Sequence, residues 1–188
     1  MSAKYSYFLF FLFFVCSLSL RGQNYPVTSV TQLSKPYSLR LSDYGEGNGE
    51  RVTLNLLLQD VLVSNYAVRL RLYIEGVGIS VSTKPSYLGR TENLTGGALI
   101  TLSGLDLADY FNANNLIFQG YSRSQYDQTG KLPEGVYTVR FEVLDAVRGL
   151  SVASPTAGAS VAWLSESDPP LLNTPFDAEV VRALSLVL

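Results

Sequence analysis

Histidine is absent from this 188-residue chain, and cysteine and methionine occur once each, as Cys16 and Met1. Beyond residue 22 there is no imidazole, no thiol and no thioether. Serine or cysteine nucleophiles of the usual kind need a histidine base, and structural zinc prefers histidine and cysteine ligands, so both chemistries lose their agents. A disulfide framework is excluded as well. Charge is sparse: Asp, Glu, Lys and Arg make up 16% of residues, against ~25% in typical soluble domains. No basic block or aromatic-interleaved Lys/Arg cluster occurs, which argues against nucleic-acid partners and against an anionic membrane surface.

What is present begins with an address. Lys4 forms a short basic start, Tyr5 to Leu20 is an apolar run, and Ser17, Ser19, Arg21 and Gly22 break it before polar Gln23-Asn24. Residues 1–22 are thus expected to be a secretory signal peptide cut after Gly22, because the run falls short of the ~20 apolar residues of a membrane span. Leu20 fits poorly three positions before the cut, which leaves an uncut signal anchor as the alternative; membrane contact is then confined to this segment. Acylation of Cys16 as a lipoprotein is disfavoured, since Phe14-Val15 offers no small residue at the cut. Removing Lys4 and Arg21 from 14 basic residues leaves 12 against 16 acidic ones, a net −4 for the exported part. About 165 residues suffice for one domain with its own core.

Period-2 alternation dominates the exported chain. Val68, Leu70, Leu72 and Ile74 alternate with Arg69, Arg71, Tyr73 and Glu75; Arg51 to Asp60 and Tyr137 to Val143 repeat the pattern. Each reads as a half-buried strand. Weaker strands are expected at Ser38 to Ser42, Ile79 to Thr83, Ala98 to Ser103, Leu116 to Gln119 and Ser160 to Leu164, with Trp163 in the core. Glycine-rich turns such as Thr95-Gly96-Gly97 separate them. Two short helical segments stand out, Asp106 to Phe111 capped by Asp106 and Ser122 to Gln128 capped by Ser122. The expected fold is an all-β, immunoglobulin-like β-sandwich over 23–164 with two short helical segments. Residues 165–188, opening on Ser165-Glu166-Ser167-Asp168-Pro169-Pro170, read as a proline-containing linker and the start of a truncated following domain, the alternative being that the apolar C-terminal segment packs back on the main body.

Candidate sites are few. Asp43, Glu46, Glu50, Asp60, Asp106, Asp109, Glu134 and Asp145 could in principle supply the two carboxylates of a hydrolase, but no spacing singles out a pair, and solvated acids at turns explain them. Asp43 to Glu50 alternates acids and amides with glycines and could wrap a calcium ion, although it lacks EF-hand spacing and a long hairpin connection accounts for it. No other cofactor is expected. Tyr110, Phe111, Tyr121 and Tyr126 cluster in the irregular stretch 106–128, where loop rings can stack on a sugar or anchor a peptide; the bland reading is that they cap the sandwich. Asn93-Leu94-Thr95 fits a glycan acceptor and is read simply as a loop.

Several phrases point further: Tyr25-Pro26-Val27; Pro36-Tyr37-Ser38-Leu39-Arg40-Leu41-Ser42-Asp43-Tyr44; Val68 to Gly76; Leu102-Ser103-Gly104-Leu105-Asp106-Leu107; Leu132-Pro133-Glu134-Gly135-Val136-Tyr137; and Trp163-Leu164 before Asp168-Pro169-Pro170-Leu171-Leu172-Asn173. Their order, over roughly Tyr25 to Phe176, resembles the amino-terminal module of large TANFOR-domain surface proteins of Bacteroidota. The resemblance implies a module followed by fibronectin-type or other immunoglobulin-like repeats, and it supplies no active-site residues. The expectation is a secreted or cell-envelope, non-catalytic interaction module whose partner is a protein or a glycan at the cell surface. A carbohydrate-binding module is the alternative, and a two-carboxylate hydrolase a remoter one.

Overall fold

In the computed structural model, described over residues 25–47, 51–155 and 158–166, the chain forms an all-β sandwich. The expectations for residues 1–22 and for most of 165–188 fall outside those residues. Nine strands are described: β1 Val27–Leu33, β2 Val52–Leu58, β3 Tyr66–Gly76, β4 Ile79–Thr83, β5 Glu92–Leu94, β6 Leu99–Ser103, β7 Leu116–Gln119, β8 Gly135–Asp145 and β9 Ser160–Leu164. One sheet runs β1-β2-β6 and the other β7-β4-β3-β8-β9, with β5 also paired to β3; every pair of strands in both is antiparallel.

The three strongly alternating segments build the core. Val52, Leu54, Leu56 and Leu58 of β2 face Val68, Leu70, Leu72 and Ile74 of β3 and Tyr137, Val139, Phe141 and Val143 of β8, all buried in one cluster. Full burial of such a side chain contributes about 1.5–3 kcal/mol, so these strands carry the fold without any cross-link.

Both strand ends define a pole. Val27 pairs with Leu58 and Val68 with Asp145 at the amino pole; Leu33 pairs with Val52 and Gly135 with Leu164 at the carboxyl pole. β1 and β9 run in the same direction between them. The segment before β9 ties the two sheets: the Val27 N–H donates to the Val152 carbonyl (3.0 Å) and the Thr31 N–H to the Gly158 carbonyl (2.6 Å).

Four expectations need correction. Ser38 to Ser42 is not a strand; the chain there leads into a 3-10 turn, Leu41–Tyr44, because Leu41 and Tyr44 both belong to the core and a three-residue period brings them to one side. Trp163 is not core: Ala162 and Leu164 take the inward positions of β9, leaving Trp163 64% exposed. Asp106 does not cap a helix from outside. It ends a 3-10 turn, Gly104–Asp106, and its carboxylate accepts from the Ser103 N–H (3.5 Å), while α1 covers only Ala108–Phe111. Asn93 lies on β5 and not in a loop. The second helix, α2 Arg123–Thr129, does start from Ser122, whose hydroxyl accepts from the Gln125 N–H (3.2 Å).

Candidate interaction surfaces

The aromatic stretch 106–128 turns inward. Tyr110 and Phe111 on α1 are 3% and 2% exposed, and Tyr126 on α2 is buried too. Tyr110 meets Tyr87 and Phe141 edge-on, each at 5.8 Å between ring centres; Phe111 stacks on Tyr44 at 5.4 Å; Tyr126 packs on Phe118 at 5.1 Å. Such pairs add about 0.5–1.5 kcal/mol beyond area burial. Burial pushes the Tyr110 phenol up to about 12, assisted by nearby Tyr87 and Glu92 and opposed by the Arg90 backbone N–H. The Tyr44 and Tyr126 phenols are raised by burial in the same way, while Tyr44 donates to the Ser38 carbonyl (2.9 Å) and Tyr126 accepts from the Leu41 N–H (3.3 Å).

Of the four expected ligand-binding rings, then, three close the sandwich. Phe111 and Tyr126 do border one shallow groove of about 380 Å³ with Ser42, Gly45, Ala108 and Ala113. Their ring faces are covered, so neither offers a sugar a stacking platform there. Tyr121 is half-buried, with its hydroxyl against Thr129 (3.2 Å) and the Lys131 carbonyl (3.3 Å).

The acids have structural work. Asp43 accepts from the Ser38 hydroxyl and pairs with Arg51 at 3.5 Å; Asp60 accepts from the Leu62 N–H at 3.0 Å; Glu134 accepts from the Glu166 N–H at 2.7 Å. The Tyr87 phenol is raised chiefly by burial, and the negative charge of nearby Asp109 raises it further. Asp145 organises the turn after β8, accepting from the Arg148 N–H (2.7 Å), the Tyr66 hydroxyl (2.9 Å) and the Val147 N–H (2.9 Å), which hold its carboxyl below its ordinary value. Glu50, the last residue of the calcium candidate, is outside the described residues. Among those described, no cluster of three or more acids forms a metal site. A polar cleft of about 370 Å³ opens at the carboxyl pole, where Arg40, Asp43, Arg51, Lys131 and Glu166 meet and Lys131 pairs with Glu166.

The exposed features are elsewhere, and sequence reasoning missed them. On the outer face of the larger sheet, the Arg140 guanidinium lies 4.1 Å over the Tyr73 ring and 3.2 Å from Glu75, and the Tyr73 hydroxyl donates to Glu142 at 3.1 Å. Past this polar belt the same face becomes apolar. Val136 stands opposite Trp163 and Thr138 opposite Val161, and Val136, Val161 and Trp163 are all exposed. A second apolar group, Leu62 and Val147, tips the loops of the amino pole. β1 and β6 are the outer strands of the smaller sheet, and β7 and β9 those of the larger one. The chain matches no protein-family model, no curated protein and no solved structure.

Proposed function

We propose that this chain is a non-catalytic, immunoglobulin-like module of a multidomain protein at the bacterial cell surface, akin to the front module of TANFOR-domain proteins. The path of the chain carries the reading. Tyr25 precedes β1 at the amino pole and Glu166 follows β9 at the carboxyl pole, so the sandwich sits lengthwise between whatever precedes and whatever follows it. That is the geometry of a spacer that holds neighbours in line. The amino-terminal address of residues 1–22 supports export. Acids committed to turns and ion pairs, in a chain without histidine, support a role in binding and not in turnover.

The test is localisation together with activity. With an epitope after Leu188 in the cells that encode it, the tag is expected in the envelope fraction and removable by protease added to intact cells. Purified protein should begin at Gln23 and leave chromogenic glycoside, ester and peptide substrates unchanged. A cytoplasmic tag, or turnover of any of these substrates, overturns the reading.

A further inference from the structure

We propose that a pocket on the outer face of the larger sheet, walled by Arg69 and Arg71 of β3, takes the carboxylate of a glutamate side chain on a partner polypeptide. The inference goes beyond the proposed function, which assigns no contact to this pocket, and its test does not depend on where the protein resides.

The pocket follows from the strand pattern. Arg69 and Arg71 alternate with buried Val68, Leu70 and Leu72, so both stand on the outward side of β3. Beside them the surface is hollowed by about 140 Å³, with Leu88, Leu144 and Ala146 as apolar lining and Asp145 among the polar groups. The frame is fixed by backbone: the Ala146 N–H donates to the Ala67 carbonyl (3.0 Å) and the Gly149 N–H to the Asp145 carbonyl (2.8 Å).

Charge singles this pocket out. Arginine stays protonated in proteins and is almost never covered without a partner. Here the Arg69 Nε–H is shut off from solvent and has no acceptor. Among the described residues, neither Arg69 nor Arg71 belongs to an ion pair. The nearby acids are already engaged. Asp145 holds the Tyr66 hydroxyl and the N–H groups of Val147 and Arg148, and Glu142, opposite Arg71, accepts from the Tyr73 hydroxyl, against which Arg71 also lies. Arg148 adds positive charge beside Asp145. A carboxylate entering the pocket therefore meets a guanidinium already stripped of part of its water, the condition under which a charge-assisted hydrogen bond is strong.

Size and lining decide the class of ligand. A dry cavity of ~150 Å³ takes a molecule as large as benzene. The glutamate side chain fits such a space, with its methylenes against Leu88, Leu144 and Ala146 and its carboxylate at the arginines. A uronic acid carries its carboxylate directly on a sugar ring, and the ring is too large to follow it in. Phosphate brings a second charge and no methylenes for the apolar lining.

Arginine Nε–H resonances report on such a contact directly. In the exported protein through Leu188, labelled with nitrogen-15, butyrate is expected to move the Arg69 Nε–H signal downfield and saturably, with half-saturation in the millimolar range. Glutamate blocked by acetyl and methylamide groups should do the same. Butyramide and blocked glutamine, which keep the shape without the charge, should leave the signal in place at equal ionic strength. Read at the Arg71 Nε–H, Arg69→Gln should abolish saturable binding; read at Arg69, Arg71→Gln should weaken it several-fold, both with unchanged far-ultraviolet circular dichroism. Absence of a saturable shift in the unaltered protein overturns the proposal and needs no variant. Butyramide acting as well as butyrate, or binding that survives Arg69→Gln, overturns it too. Glucuronate or inorganic phosphate binding more tightly than blocked glutamate assigns the pocket to a glycan or a phosphorylated partner and overturns it as well.

Discussion

Two side chains show how single groups set the stability of this sandwich. Thr31 points inward from β1, 3% exposed, and its hydroxyl is buried without a hydrogen-bond partner. A buried unsatisfied hydroxyl is a net cost, so Thr31→Val, which keeps the shape and removes the group, should raise stability by about 1 kcal/mol, read as a higher urea midpoint at unchanged slope. Tyr110 acts through pH. Its phenol is held up to about 12 in the fold against an ordinary 10.0, so the unfolded chain loses its proton first. Below pH 10 the contribution is complete; as pH rises from 10 through about 12 it is lost, on the order of 3 kcal/mol at one pKa unit per 1.36 kcal/mol. Urea titrations at successive pH values should show a flat plateau and then a fall, and Tyr110→Phe should flatten part of that fall, leaving the share of Tyr44, Tyr126 and Tyr137, which burial also raises. The sequence could count these rings but not say which way they point. Tyr110, Phe111 and Tyr126 follow no period that marks an inward face, so a buried plug and an exposed binding loop read alike.

At the scale of elements, legibility followed the size of the inward side chain. β2, β3 and β8 announce themselves because leucine, isoleucine, valine or phenylalanine points in and polar residues point out. β1 was missed because Ser29 and Thr31 occupy its inward positions, and β5 because three residues are too few to show a period. Trp163 was misassigned since both faces of β9 are apolar, and alternation carries no sign when neither face is polar; packing chose the smaller Ala162 and Leu164 for the inside. Turns obey a similar logic of space. Gly120, after β7, and Gly130, at the end of α2, both have positive φ, +74° and +67°. A Cβ at Gly130 meets nothing, whereas one at Gly120 lands on the Gly78 carbonyl of the β3–β4 hairpin. Gly130→Ala should therefore cost only the left-handed strain, about 1–2 kcal/mol, and Gly120→Ala clearly more, because backbone must move. Equal urea midpoints for the two variants would show that the hairpin yields freely.

For the whole molecule, the order of strands along the sequence could not reveal where the chain enters and leaves, because poles exist only after pairing. The mechanical consequence of the fold comes from topology alone. β1 runs parallel to the segment that leads into β9: Val27 bridges Ala153 in parallel, the Thr31 N–H reaches the Gly158 carbonyl, and the Leu33 N–H reaches the Ser160 hydroxyl at 3.3 Å. A force applied between Tyr25 and Glu166 acts along these strands, so the hydrogen bonds share the load and must fail together. A force between Tyr25 and Val147, both at the amino pole, opens the same bonds one after another from the Val27–Val152 end. Single-molecule stretching should therefore give a several-fold higher unfolding force in the first geometry than in the second. Thr31→Pro deletes the donor to Gly158 and should lower only the first, since that N–H points away from β2. Equal forces in the two geometries would mean that the β1 contact bears no load, and would remove the mechanical argument for a module that holds its neighbours in line.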